Sequence, residues 1–173
     1  MITLLYGASG SGKSTLAEEI AVKCPEPRFY IATMMPYGED SLVKIARHRE
    51  MRALKRFETI ERYTDIAGLE LPEGSTALLE CMCNLTANEM FEPCGAHERT
   101  VDEIMRGIDA LERQCGELII VTNDVGSGGW GYGELTERYI RTLGELNIKL
   151  AARAERFIEM VCGCPQYIKG GAR

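Results

Sequence analysis

An α/β fold with a parallel sheet is predicted by three features of the chain. Short apolar runs rich in β-formers are near-continuous rather than alternating, as in strands buried on both faces. Helical patterns lie between those runs, and such alternation builds an α/β layer structure. The first run passes directly into a glycine-rich turn that opens a helix.

The elements follow in order. Strands are expected at residues 2–6, 29–32, 77–79, 118–122 and 157–162, with 57–61 a further short candidate. A helix over 13–24 follows the first strand, and one over 98–114 precedes the fourth. The clearest helix spans 134–156, where Leu135, Tyr139, Leu143, Leu146 and Leu150 recur at spacings of three and four on one face. In such a fold ligands bind at the carboxyl ends of the strands. No internal repeat breaks the pattern, so residues 1–169 read as one domain and 170–173 as a flexible tail.

Composition narrows the function classes. With 173 residues the chain can bury one substantial core. Apolar residues at 45% and charged residues at 27% form a globular mixture that argues against disorder. A net charge of −6 argues against a general nucleic-acid or anionic-membrane surface. The start has no basic leader and no long apolar region, so it does not read as a signal peptide. No run approaches the roughly 18 apolar residues that span a bilayer. A cytoplasmic protein is the expectation. The seven cysteines are an odd number and are expected as buried free thiols in a reducing compartment. Cys81-Met82-Cys83 and Cys162-Gly163-Cys164 lack the spacing and partner histidines of a zinc site.

The strongest signal is Gly7-Ala8-Ser9-Gly10-Ser11-Gly12-Lys13-Ser14, which satisfies G-x-x-x-x-G-K-[ST] at every fixed position. Glycines let the backbone turn so that successive N–H groups face phosphate oxygens, and the helix dipole adds to that field. Lys13 would reach the β- and γ-phosphates, and the Ser14 hydroxyl would ligate Mg²⁺. This makes the fold P-loop NTPase-like, of the RecA-like kind, with a purine nucleoside triphosphate as ligand. A second magnesium-side carboxylate should end a neighbouring buried strand, and Glu80, after the apolar run at 76–79, is the candidate. The plain alternative for Glu80 is an ordinary strand-end acid.

A histidine lies in the one basic segment. Between residues 44 and 56 six basic residues stand against a single acid, Glu50. Lys44, His48 and Arg52 are spaced to share one helical stripe. Cations could hold a polyphosphate there while a neutral imidazole attacks phosphorus, and they would also depress the His48 pKa. From spacing alone, a solvated basic face with an incidental histidine is the simpler reading. His97 lies in a loop-like setting and is expected to be exposed.

Taken together, these residues resemble the bifunctional adenosylcobinamide kinase / adenosylcobinamide-phosphate guanylyltransferase family of cobalamin biosynthesis. The resemblance runs from about residue 2 to 169 and lies in ordered motifs. After the phosphate loop come Tyr30-Ile31-Ala32-Thr33 and Lys44-Ile45-Ala46-Arg47-His48-Arg49. Thr59-Ile60-Glu61, Leu78-Leu79-Glu80-Cys81 with Asn88, and Val121-Thr122-Asn123-Asp124-Val125-Gly126 follow. Arg138-Tyr139-Ile140-Arg141, Gly144, Asn147, Leu150 and Ala151 complete the series.

The resemblance implies two chemistries, with Lys13 and His48 as the catalytic residues. One phosphorylates the aminopropanol hydroxyl of adenosylcobinamide with GTP or ATP. In the other, His48 attacks the α-phosphorus of GTP, and the resulting GMP passes to the substrate phosphate. It further implies nucleotide contacts from Gly7 to Ser14 and from Ala32, Thr33, Met34, Arg49, Glu50, Met51, Arg52, Glu61 and Glu80. Mg²⁺ on Ser14 and Glu80, a homotrimer, and one antiparallel strand in a mostly parallel sheet are also implied.

Three stretches depart from the family pattern. Residues 52–61 lack its Pro and Trp and are one residue longer. Residues 127–133 carry four glycines in place of an apolar-Val-Pro turn, and Thr142 replaces an Asp. Another small-molecule P-loop kinase, or a single-activity or regulatory paralogue, is the competing reading. A GTPase-type switch is disfavoured because Asn123 is followed by Asp124 rather than by the Lys of N-K-x-D.

Overall fold

The computed structural model describes residues 1–36, 55–126, 129 and 131–171. Its seven strands are β1 (Ile2–Gly7), β2 (Arg28–Ala32), β3 (Phe57–Glu61), β4 (Ser75–Leu79), β5 (Cys115–Val121), β6 (Arg156–Val161) and β7 (Cys164–Lys169). The four α-helices among the described residues are α1 (Lys13–Val22), α2 (Met82–Phe91), α3 (Thr100–Gln114) and α4 (Glu134–Arg153).

One sheet holds all seven strands in the order β3-β2-β4-β5-β1-β6-β7. Every pairing is parallel except β6 with β7. The mostly parallel α/β fold expected from the sequence is therefore the fold observed. Residues 57–61 are a strand after all, pairing with β2 in register Arg28↔Phe57 to Ala32↔Glu61.

Alternate residues of each inner strand feed different cores, which is why the runs are apolar without a break. On one face Leu4, Ile31, Leu79 and Ile120 pack against Met82 and Leu85 of α2, Ile104 and Ile108 of α3, and Leu143, Leu146 and Leu150 of α4. On the other, Leu5, Tyr30, Leu78 and Val121 meet Ala17 and Ala21 of α1. The small α1 residues let that helix lie close to the strand ends.

The structure corrects several sequence expectations. Helix α4 stops at Arg153, and Arg156 already begins β6. Leu135 shares the helical spacing of Leu143, Leu146 and Leu150 but is 65% exposed, because it lies in the first turn of α4. Burial holds for Cys83 and Cys115 only; Cys24 and Cys81 are half-buried, and Cys94, Cys162 and Cys164 are exposed. β7 has no counterpart among the expected strands. It is exposed along its length, so it lacks the apolar run that marked the others.

A buried carboxylate in α2 closes the loops beside the sheet. Glu89 is 3% exposed and accepts hydrogen bonds from the backbone N–H of Asp65 at 2.7 Å and of Ala96 at 2.9 Å. Glu89→Ala is expected to lower unfolding free energy by about 1–3 kcal/mol, since it removes the acceptor from two partly buried backbone donors. Glu89→Gln, which retains one acceptor oxygen, should lose less. Urea denaturation of the two variants against the wild type checks the order.

Candidate active site

All parallel strands point the same way, so Gly7, Ala32, Leu79 and Val121 reach one edge of the sheet together. That edge opens into a cleft of about 430 Å³. Ser9, Gly10, Ser11, Gly12, Lys13, Ser14, Met34 and Glu80 line it, which brings together eight of the thirteen proposed residues that are described.

The phosphate loop is built by conformation and by two buttresses. Gly7, Gly10 and Gly12 have φ values of 147°, 73° and 96°, which other residues rarely adopt. The Ser11 N–H donates to the Ala8 carbonyl at 3.2 Å and turns the chain, and α1 begins at Lys13. From the β6–β7 hairpin, the Gly163 N–H donates to the Ser11 carbonyl at 3.0 Å. From the segment after β5, the Asp124 N–H donates to the Gly7 carbonyl at 3.0 Å. The hairpin turn is Cys162-Gly163, both at positive φ, as a tight two-residue connection requires.

Lys13 is 5% exposed and curls back over its own loop. Its Nζ donates to the Ala8 carbonyl at 2.7 Å and lies 3.5 Å from Ser11 Oγ. Burial lowers its pKa, and the thiols of Cys83 and Cys81 pull the other way. Ser14, one residue on, is exposed at the mouth of the cleft.

Glu80 stands at the end of β4, and β4 is not the immediate neighbour of β1: β5 lies between them. The "neighbouring strand" of the sequence reading is therefore corrected by one position, and Glu80 lines the same cleft as the loop from the far side of β5. Its Oε2 accepts from the Thr33 N–H at 3.3 Å. Thr33 is completely buried and fully engaged. Its hydroxyl donates to the Cys81 carbonyl at 2.9 Å, and its carbonyl accepts from Asn88 Nδ2 at 2.9 Å. Asn88 donates also to the Tyr63 carbonyl at 3.0 Å, tying the exits of β2 and β3 to α2. These bonds fix the end of β2 and the residue that follows it.

Other proposed residues fall elsewhere. Ala32 is buried at the end of β2, and Gly7 and Ala8 form the base of the loop. Glu61 ends β3, accepts from the Tyr63 hydroxyl at 3.1 Å and is not among the residues lining this cleft. His48, Arg49, Glu50, Met51 and Arg52 lie outside the described residues. His97 is exposed as expected, with Nδ1 3.2 Å from the Met90 carbonyl.

Site reasoning from the sequence missed Asn84, Asn123 and Cys81, which line the cleft. Asn123 and Cys81 stood in the quoted motifs but had no assigned role. Cys81 immediately precedes α2 and is half-buried, and Cys83, in the first turn of that helix, is buried. The neighbouring Cys81 thiol, with lesser help from Asn123 and Tyr139, lowers the Cys83 pKa below the ordinary thiol value, while Cys83 and burial push Cys81 up.

A loop–helix phosphate cradle opposite a strand-end acid occurs in many nucleotide enzymes, so the geometry alone names no substrate. The sequence comparison decides the family. Residues 3–168 match the family model for cobinamide kinase / cobinamide phosphate guanyltransferase. The chain belongs to this family. It is 31% identical over 173 residues to the bifunctional adenosylcobalamin biosynthesis protein CobP of Pseudomonas aeruginosa, covering 98% of both chains. It is similar to the proteins named CobU of Salmonella typhimurium, at 30%, and Escherichia coli, at 28%, covering 98% of this chain and all of each relative. The family's two activities, phosphorylation of cobinamide and guanylyl transfer to its phosphate, both need a bound nucleotide. The match spans the departures at 52–61 and 127–133, which are therefore variations within the family.

Proposed function

We propose that this chain phosphorylates adenosylcobinamide and then transfers GMP from GTP to adenosylcobinamide phosphate through a guanylyl-His48 intermediate, giving adenosylcobinamide-GDP. The observation that carries the reading is the phosphate loop, whose Lys13 and Ser14 share one cleft with Glu80. Both steps displace an oxygen leaving group from phosphorus, so one cradle can serve both.

In the kinase step the substrate hydroxyl attacks the γ-phosphorus while Lys13 and the loop N–H groups offset charge on the departing diphosphate. In the second step the imidazole of His48 attacks the α-phosphorus, the bond to pyrophosphate breaks, and a P–N bond forms. The substrate phosphate then takes the GMP and frees the imidazole. Dividing one hard displacement into two is the ordinary gain from a covalent intermediate. Arg49, Glu50, Met51 and Arg52 are proposed beside the nucleotide with Ala32, Thr33, Met34 and Glu61.

Mg²⁺ suits the donors present. Ser14 offers a hydroxyl and Glu80 a carboxylate on the same cleft, hard oxygen ligands that leave room for nucleotide phosphates and water. Bound there, the ion would neutralise developing phosphate charge. The reading further places residues 1–169 in one domain that works in the cytoplasm as a homotrimer, with GTP or ATP as phosphoryl donor. No helix among the described residues is long and apolar enough to cross a membrane.

Incubation with Mg²⁺ and GTP labelled in the α-phosphate tests the mechanism. Acid-labile, alkali-stable label on the protein is expected, and it should vanish in His48→Ala while phosphorylation of cobinamide persists. Wild-type protein that phosphorylates cobinamide yet never takes up label would leave a kinase alone.

A further inference from the structure

The nucleotide cleft holds about 430 Å³. A nucleoside triphosphate fills a space of that order by itself, so a bulky acceptor must rest outside and send only its reacting end in. Helix α2 leads outward from the cleft wall. Asn84 lines the cleft, and Ala87 and Phe91, three and seven residues on, fall on the same stripe of that helix. From Asn84 to Phe91 the stripe runs about 10 Å. Ala87 and Phe91 form one side of a second hollow, of about 350 Å³, whose other side is Leu135, Thr136 and Tyr139 in the first two turns of α4.

This hollow is apolar and open. Phe91 is 47% exposed and Leu135 65%, large side chains left in water that a bound apolar surface would cover. Ala87, small beside them, leaves the space. Tyr139 donates its hydroxyl to the Cys83 carbonyl at 3.2 Å, so what it offers the hollow is its ring. That bond also ties α4 to the start of α2, beside the cleft. Among the described residues no charged side chain lines the hollow.

We propose that the hollow between α2 and α4 seats the corrin macrocycle of cobinamide, with the aminopropanol arm passing along Asn84 into the cleft. The inference rests on the kinase and guanylyltransferase reading above. The rim of a corrin ring carries methyl groups and neutral carboxamide arms. Its apolar edge suits Phe91, Leu135 and the ring of Tyr139, and a carboxamide suits the Thr136 hydroxyl. A nucleotide suits the hollow poorly, since its phosphates call for cations. Between the two steps the acceptor changes only at the end of its arm, so one seat serves both.

Steady-state kinetics of full-length Leu135→Asp test the seat, with dicyanocobinamide as acceptor and GTP with Mg²⁺ as donor. Leu135 is mostly exposed, so the change leaves folding intact, which thermal melting checks. KM for cobinamide should rise about tenfold, as one apolar contact is lost and a charge takes its place. KM for GTP should stay within about twofold of wild type, as should affinity for a fluorescent GTP analogue. Leu135→Met, which keeps the apolar contact, should behave as wild type. Ala87→Leu, which fills the hollow, should raise KM for cobinamide as well. An unchanged KM for cobinamide in either Leu135→Asp or Ala87→Leu overturns the proposal and leaves the function standing. So does a rise that comes with an altered oligomeric state in sedimentation velocity, which would make the hollow an interface between copies. If the wild type neither binds dicyanocobinamide in equilibrium dialysis nor phosphorylates it, the functional reading itself fails, and the seat with it.

Discussion

Lys13→Ala is expected to slow both cobinamide phosphorylation and guanylyl transfer by about 10²–10³-fold, equivalent to roughly 3–4 kcal/mol of transition-state stabilisation in each step. The ammonium is the one cation that the phosphate loop itself carries, held within the loop by the Ala8 carbonyl at 2.7 Å. Its burial means that its charge acts in a medium poorer than water, where each contact with phosphate counts for more. Separate assays of phosphoryl transfer to cobinamide and pyrophosphate release from GTP check the expectation. Guanylylation at the wild-type rate in Lys13→Ala would show that the two steps do not share a cradle.

Gly7→Ala should do comparable damage by a different route. A Cβ at Gly7 would lie 2.5 Å from the Met160 carbonyl oxygen of β6, a backbone atom that cannot turn aside, and 3.2 Å from Ser11 Oγ. The residue also has φ 147°, so alanine is strained there whatever the space. Overpacking and backbone strain together are worth about 2–4 kcal/mol. For a chain of this size that is a fall in Tm of about 5–15 °C. Nucleotide affinity should collapse with it, because the loop would be pushed off the hairpin that supports it. Gly10→Ala is the control: its φ is 73°, but a Cβ there meets nothing within 4 Å, so only the conformational cost of about 1 kcal/mol remains. Thermal melts of the two variants separate packing from conformation.

The cradle was legible because its chemistry is local. Glycines at fixed offsets, a lysine and a hydroxyl within eight residues need only a strand before them and a helix after. Glu80 was legible in kind, as an acid ending an apolar run. Its distance from the loop was not, since no pattern in the chain says that β5 inserts between β1 and β4. The hairpin turn at Cys162-Gly163 left a trace, a small residue and glycine between β-forming segments. The exposed β7 partner had too little apolar character to complete it. Leu135 misled for the opposite reason: helical spacing marks a face, but it does not say how far along the helix the sheet extends.

What the amino-acid order alone determined is the alternation of buried strands and helices, the phosphate loop and, through ordered motifs, the family. All of these depend on interactions between residues near one another in the chain. Tertiary structure decided which strands lie side by side, and that Thr33 joins Glu80, Cys81 and Asn88 in one hydrogen-bonded group. Those facts arise where distant segments share the carboxyl edge of the sheet. The choice among possible strand orders is made by packing the whole apolar surface, not by any one segment.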